Sequence, residues 1–359
     1  MTETLELPHH LRDLSGRVRV AEPMREHTTL KVGGPADLFF EAATADEVKR
    51  IVRFCRENSY PLTLIGNGSN LLVSDRGIRG MVVALKDHHF KDYGFIRELP
   101  DAGAHEGEGF KPDYYSVSKE DIEAADEDRT FYLYTEAGCP FIGISDYATE
   151  LNLTGLEYAC GIPGSIGGAV HMNAGAYGGS INDGVVMTHA LTKEGEEIFV
   201  AGEDQNFRYR GSKFQDDGDI ILGAIFALKK GDPEAIRSQV RDYTERRTAS
   251  QPLELPSAGS TFKRPPGYYA GKLISDCNLR GKTIGGAQVS TKHAGFIVNV
   301  GGATASDINS LIRHIQETVW DRFQVAMETE VRFIGEWDEL PNPDRFTQQR
   351  QAQKLERSS

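Results

Sequence analysis

Between residues 161 and 179 the chain reads Gly161-Ile-Pro-Gly-Ser-Ile-Gly-Gly-Ala-Val-His-Met-Asn-Ala-Gly-Ala-Tyr-Gly-Gly179, seven glycines in one short span. Residues without bulk cost chain entropy on folding and fill no core. A run this dense therefore means tight turns at strand ends or close backbone approach to a ligand, and the ligand is the more economical reading. A second compact loop, Gly66, Asn67, Gly68, Ser69 and Asn70, directly follows the apolar pair Leu64 and Ile65. Successive backbone N–H groups in such a loop converge on an anion, for which phosphate is the natural guest, although turns alone account for these glycines equally well. Neither loop is a familiar nucleotide fingerprint. Leu71 stands where Gly-x-Gly-x-x-Gly needs its last glycine, and Asp276 occupies the first position of a P-loop ending in Gly281, Lys282 and Thr283. Two such loops suit an extended diphosphate better than a mononucleotide.

Around these loops the pattern mixes helix with strand. Val48, Ile51, Val52 and Cys55 recur at helical spacing behind a capping box of Thr44 and Glu47, which predicts a helix. Short apolar runs at 37–42, 62–65 and 81–85 predict strands near it, so the first module is strand, helix, strand. Strands are expected again at 131–136, 185–191, 197–200 and 220–228, with an untyped apolar run at 141–148. Asp232-Pro233-Glu234 opens a helix with Ile236, Val240 and Tyr243 on one face. A second helix starts near Thr304 with a Thr-x-x-Asp box and a stripe of Ile308, Leu311, Ile312, Ile315, Val319 and Phe323. The fold class is α+β.

Composition removes several classes of function. The 359 residues are 39% hydrophobic and 26% charged, enough apolar residues for packed cores and too many residues for one small core. No run reaches the ~18 apolar residues of a membrane span, and the acidic N-terminal residues do not resemble an export signal, so a cytoplasmic location is expected. The net charge of -13 disfavours nucleic acid and anionic lipid as partners. Four widely spaced cysteines, without a Cys-x-x-Cys pair or a neighbouring histidine, read as reduced thiols rather than metal ligands. Residues 98–128 hold eleven carboxylates against two lysines, which predicts a solvated surface excursion.

Three polar clusters carry candidate chemistry. Arg210, within Phe207-Arg-Tyr-Arg-Gly-Ser, has the forked geometry that clamps a carboxylate. Ser260, within Ser257-Ala-Gly-Ser-Thr-Phe-Lys, has small neighbours that leave a hydroxyl accessible, but lacks the Gly-x-Ser-x-Gly of a hydrolase elbow. Glu328 and Glu330 alternate with apolar residues, so a terminal strand would turn both toward one face. Taken singly, each is more commonly an ordinary solvated residue.

In order, however, the motifs resemble the UDP-N-acetylenolpyruvoylglucosamine reductase family. The resemblance runs from His27 to Gly335. It rests on Thr29-Leu-Lys-Val-Gly-Gly-Pro-Ala, Gly66-Asn-Gly-Ser-Asn-Leu-Leu-Val, Gly161-Ile-Pro-Gly through Asn173-Ala-Gly-Ala-Tyr-Gly, Tyr209-Arg-Gly-Ser, Ala258-Gly-Ser-Thr-Phe, Gly285-Gly-Ala and Glu328-Thr-Glu-Val-Arg-Phe-Ile-Gly. It implies a vanillyl-alcohol-oxidase or PCMH-type FAD-binding fold of two α+β modules plus a C-terminal α+β substrate-binding domain. The corresponding boundaries are an extension over 1–25, modules over 26–90 and 91–231, the substrate domain over 232–338 and a polar tail over 339–359. The second module carries the acidic insertion at about 98–128.

The resemblance further implies non-covalent FAD held by Gly66, Asn67, Gly68, Ser69, Asn70, Gly161, Ile162, Pro163, Gly164, Ser165, Gly167, Gly168 and Ala169, with NADPH as co-substrate and no metal. The implied reaction reduces UDP-N-acetylglucosamine enolpyruvate to UDP-N-acetylmuramate, a step in peptidoglycan precursor synthesis. Hydride passes from flavin N5 to C3, Ser260 gives a proton to C2, and Arg210 and Glu330 stabilise the enolate. Tyr177, Tyr209, Arg264 and His293 match substrate-contacting positions. The short passage from Tyr243 to Ser260 leaves no room for a substrate-capping insertion, as in the second, shorter subclass, and a monomer is favoured. Two alternatives share part of this support. They are an FAD-dependent alcohol oxidase of the same fold and a non-catalytic nucleotide-sugar binding protein, the latter leaving Ser260, Arg210 and Glu330 without a common task.

Overall fold

The computed structural model describes residues 13–14, 17–86, 90–104 and 109–338. Most of the N-terminal extension and the whole polar tail lie outside them. The chain gathers into two compact units. The first comprises Met1–Val20, Leu38–Asn67 and Gly80–Arg247, and the second Ala21–Asp37, Gly68–Arg79 and Thr248–Ser359.

The first unit is built on an antiparallel sheet whose central strand, Ile220–Lys230, pairs on one side with Val185–Leu191 and on the other with Thr130–Glu136. Alternate residues of this strand enter different cores. Leu222, Ala224 and Phe226 face a large core with Phe141, Ile144, Ile166 and Val170, whereas Ile225 faces a smaller one with Ile96, Tyr134, Met187 and Phe199. Burial on both faces explains why 220–228 reads as a continuous apolar run. Helices Phe141–Glu150 and Ile166–His171 cover the large-core face, so the untyped run at 141–148 is helix. Helix Ala45–Glu57 forms where the spacing placed it, with the Thr44 hydroxyl accepting from the Glu47 N–H, and buries Val48, Ile51, Val52 and Cys55.

The acidic segment corrects the expectation of a surface excursion. Gly103–Ala104 adds to one edge of the large sheet, beside Glu197–Ala201, and Tyr114–Tyr115 adds to the opposite edge, beside Tyr93–Ile96. Between them Phe110 lies over the smaller core, with ring centroids 5.4 Å from Tyr134, 5.4 Å from His189 and 4.9 Å from Phe199. The segment thus serves as a strap that pairs two residues at each edge of the sheet. Beyond it the short helix Lys119–Glu123, boxed by Ser118 and Asp121, buries Ile122. Carboxylates such as Asp101, Asp113 and Glu120 stay exposed while these apolar side chains turn inward.

The second unit packs helices Ala270–Asp276 and Ala305–Phe323 against a small antiparallel sheet of Thr283–Ile284, Ala287–Val289 and Ile297–Asn299. The long helix has the expected Thr304 and Asp307 capping box and buries Ile308, Leu311, Ile312, Ile315 and Val319. Asp75 also accepts from the backbone N–H groups of Ala305 and Ser306, each at 2.8 Å, satisfying donors the helix itself cannot. The terminal strand is shorter than expected and starts at Arg332, running parallel to Leu71–Val73. Glu328 and Glu330 precede it, so their alternation is not that of one strand. Glu328 is exposed and ion-paired to Lys263.

Candidate functional site

In the first unit the two glycine-rich loops meet. A side chain at Gly66 would place its Cβ 2.3 Å from the Ser165 hydroxyl oxygen, and one at Gly167 would come within 2.9 Å of the Ala137 side chain. The loop at 161–168 is fixed to the turn after strand Thr130–Glu136. Gly167 N–H donates to Ala137 O at 2.8 Å, Ile166 N–H to Cys139 O at 2.9 Å, and Phe141 N–H to Gly164 O at 2.9 Å. Glycine suits both positions, since a Cβ at either would press on the Ser165 hydroxyl or the Ala137 methyl.

Beyond this loop, Gly175–Ala176 and Gly179–Ser180 form a hairpin turned at Tyr177 and Gly178, whose φ angles are +53° and +91°. The Tyr177 ring stacks on Tyr243 at 4.3 Å and 7° between planes, and its hydroxyl donates to the Tyr243 carbonyl at 3.1 Å. Arg210 also sits in the left-handed region, φ +56°, in a turn closed by mutual backbone bonds between Arg208 and Gly211. Its guanidinium donates to Gly175 O at 3.2 Å, while the exposed Tyr209 ring lies 5.1 Å from it. Asn173 holds this turn against the glycine-rich loop by donating to Arg208 O at 3.1 Å, and Ser212 donates to His171 O at 2.9 Å. Tyr177 and Arg210, expected on separate motifs, are therefore joined through Gly175. Left-handed non-glycine residues cluster at functional sites, where surrounding contacts over-determine them.

In the second unit Ser260 is half-buried, next to Gly259 at φ +72°, and its hydroxyl donates to Phe262 O at 3.2 Å. The adjoining backbone is held on two sides. Thr261 N–H donates to Gly295 O at 2.9 Å, and Thr261 O accepts from Glu330 N–H at 2.8 Å, with a further bridge between Phe262 and Thr329. Ser260 and Glu330 thus lie on neighbouring stretches. Asn70 braces the Glu330 stretch, its side-chain amide donating to Glu330 O at 2.9 Å and its own carbonyl accepting from Arg332 N–H at 2.9 Å. Gly68 leaves no room for a side chain, because a Cβ there would fall 2.0 Å from His27 O. Thr29 donates to Ser257 O at 2.6 Å and Asn299 to Leu30 O at 3.1 Å, tying the Thr-Leu-Lys motif to the serine segment.

His293 Nδ1 accepts from Gly295 N–H at 3.1 Å, and burial, with the nearby Arg280 charge, pushes the imidazole below its ordinary range, so the neutral ring keeps its proton on Nε2. Arg264 is exposed and stacks over Tyr269 at 4.0 Å, a partner that its spacing did not suggest. Reasoning from the sequence missed Asn173, Tyr243, Thr29 and Asn299. The only local signal among them is Asn173, since asparagine is the residue most tolerant of a left-handed turn after glycine.

Glu136, at the end of the strand that carries the Ala137 turn, accepts from Asp92 N–H at 2.7 Å, yet burial pushes its carboxyl up to about 7. The folded state therefore binds this proton more tightly than the unfolded chain, and stability contributed here falls as pH rises from about 4.5 to about 7. Glu136→Gln keeps an acceptor for Asp92. It is expected to gain ~1 kcal/mol over wild type above pH 7, after allowance for partial exposure, and nothing below pH ~4.5. Denaturant melts at the two pH values check it, and equal stability at both would remove the assignment.

Comparison with known proteins decides what this arrangement belongs to. Residues 251–334 match the family described as UDP-N-acetylenolpyruvoylglucosamine reductase, C-terminal domain, and residues 36–102 and 118–200 match FAD binding domain. A UDP-N-acetylenolpyruvoylglucosamine reductase of Listeria innocua is 43% identical over 319 residues, 89% of this chain and 95% of the relative. One of Clostridium botulinum (strain 657 / Type Ba4) is 44% identical over 322 residues, 90% of this chain and 94% of the relative. The chain belongs to the UDP-N-acetylenolpyruvoylglucosamine reductase family. The crystal structure of the enzyme of that name from Thermus caldophilus overlays with a TM-score of 0.68 at 30% identity, covering 88% of this chain and 99% of that one. The FAD binding domain match breaks off over residues 103–117, which include the edge strands Gly103–Ala104 and Tyr114–Tyr115 and Phe110. Among the described residues no helix is long and apolar enough to cross a membrane.

Proposed function

We propose that this protein reduces UDP-N-acetylglucosamine enolpyruvate to UDP-N-acetylmuramate, using FAD and NADPH, in peptidoglycan precursor synthesis. The observation that carries the reading is the bond from Glu330 N–H to Thr261 O, which keeps Ser260 and Glu330 on adjoining backbone within one unit.

The glycine loops suit a flavin nucleotide, since Gly66 lies against Ser165 and so brings two stretches of backbone without bulky side chains together for its phosphates. Gly66, Asn67, Gly68, Ser69 and Asn70 would hold it together with Gly161, Ile162, Pro163, Gly164, Ser165, Gly167, Gly168 and Ala169. When bound, FAD supplies the hydride that reaches C3 of the substrate, and NADPH restores it.

The chain's own residues answer the electrostatics of that addition. Negative charge builds at C2 and on the substrate carboxylate, and Arg210, a permanent cation, is the group to carry it. Glu330 orients that carboxylate. Ser260 hands its proton to C2, where a strongly basic carbon makes even a hydroxyl a sufficient donor. Tyr177, Tyr209, Arg264 and His293 take the remainder of the sugar nucleotide, His293 as a neutral donor through Nε2.

The purified protein is expected to be yellow, to release flavin on acid precipitation, and to consume NADPH only when the enolpyruvyl sugar nucleotide is present. Peroxide formed from an alcohol without nicotinamide would favour the oxidase. A colourless protein that binds the sugar nucleotide would favour the binding module.

A further inference from the structure

Helix Pro233–Ser250 has eighteen residues and buries only Ile236 completely. Amphipathic surface helices ordinarily hide a broad apolar stripe, so this one is docked by other means. Its inner face continues from Ile236 through Val240, Tyr243 and Arg247, all half-buried, at helical intervals. That face lies on the glycine-rich segment. Cys160 Sγ donates to Val240 O at 3.9 Å and accepts from the Thr244 hydroxyl at 3.8 Å, and a side chain at Gly161 would collide with the Arg247 Cδ at 2.5 Å. At the other end Arg237 donates to Asn152 Oδ1 at 3.0 Å.

This face stacks the Tyr243 ring on Tyr177. Tyr177 is held in a backbone conformation that a side-chain-bearing residue adopts only at a cost, so something must keep it there. Tyr243 makes two contacts with it, ring on ring and carbonyl to hydroxyl, while its own hydroxyl accepts only from Gln239, one turn back, at 2.7 Å. The same hairpin presents the Gly175 carbonyl to Arg210. We propose that Tyr243 is a positioning residue for the sugar-nucleotide substrate, acting through Tyr177 and never on the reacting atoms. The proposal rests on the reading of Tyr177 as a substrate contact.

Steady-state kinetics of single and double variants test it. A parallel aromatic stack is worth about one order of magnitude in an equilibrium constant. Tyr243→Leu is therefore expected to raise KM for the enolpyruvyl substrate about tenfold, with kcat and flavin content little changed. Tyr243→Phe, which keeps the ring, brings KM back to within about twofold of wild type. Because Tyr243 acts through Tyr177, the Tyr177→Leu, Tyr243→Leu double variant should match Tyr177→Leu alone. Fully additive effects, or a normal KM in Tyr243→Leu beside a raised KM in Tyr177→Leu, overturn the proposal. A normal KM in Tyr177→Leu overturns instead the underlying reading of Tyr177. If Tyr243→Leu does not accumulate as folded protein, Tyr243→Gln, with its high helix propensity, is judged by the same outcomes.

Discussion

Replacing Ser260 with alanine is expected to leave reduction of the bound flavin by NADPH nearly intact and to slow its reoxidation by the enolpyruvyl substrate by ~10²- to 10⁴-fold. In the proposed role the hydroxyl serves one half-reaction only, because a proton is delivered to carbon only when the enolpyruvyl group is reduced. The substitution is also quiet structurally. The Ser260 hydroxyl donates within its own segment, to Phe262 O, while the backbone bonds of Thr261 to Gly295 and Glu330 do not involve it. Stopped-flow absorbance of the flavin, with each substrate added in turn, separates the two steps. Equal slowing of both would mean that the serine serves the site's shape, and the proton-donor role would be lost.

What could be read in the sequence was what depends on neighbours a few residues away. Thr44, Asp232 and Thr304 mark helix starts because a cap acts on the backbone N–H three residues on, and all three do so. The apolar run of Ile220–Lys230 was equally legible, since a strand buried on both faces needs no alternation. Residues 328–334 were misleading for a tertiary reason. Thr261 O accepts from both Glu330 and Val331, at 2.8 and 3.4 Å, and the chain bends there before Arg332 takes Asn70 as its new partner. One alternating stretch thus serves two ladders.

The strap was misread because charge reports only what faces water. The eleven carboxylates of residues 98–128 announce an exposed surface, and nothing local says that Phe110 lies on Tyr134, His189 and Phe199. The site behaves in the same way. Arg210, Ser260 and Glu330 are unremarkable one at a time, and only the order of the surrounding motifs singled them out. Tyr243 was legible only as one member of a helix face, its partner ring lying 66 residues away in the sequence.

The strap's attachment leads to the largest expected change in stability. Glu197, almost fully buried, accepts from Phe110 N–H at 2.8 Å and bonds His189 Nε2 at 2.7 Å through one oxygen, and pairs with the Lys49 ammonium through the other. His189 in turn meets the buried Tyr134 hydroxyl at 2.9 Å through Nδ1, so one carboxylate ties helix Ala45–Glu57, the sheet and the strap together. Burial already pushes the Lys49 ammonium below the ordinary lysine range. Taking away its anion leaves two buried hydrogen-bond partners without an acceptor and the part-exposed Lys49 ammonium without its partner, at a cost of ~2–4 kcal/mol after allowance for solvent at Lys49. Glu197→Gln is no rescue, because its amide turns a donor toward a site already lined by donors. Either Glu197→Gln or Glu197→Ala is expected to lower the melting temperature by ~10 °C, and amide exchange should accelerate first at Phe110 and the flanking strap residues. Glu127→Gln is the matched control, since Glu127 pairs with Lys230 on the open surface, where such a bridge is worth ~0–1 kcal/mol. A Glu197 variant that melts within a degree or two of that control would show that the strap is held by its aromatic ring and edge strands alone, with the carboxylate contributing no net stability.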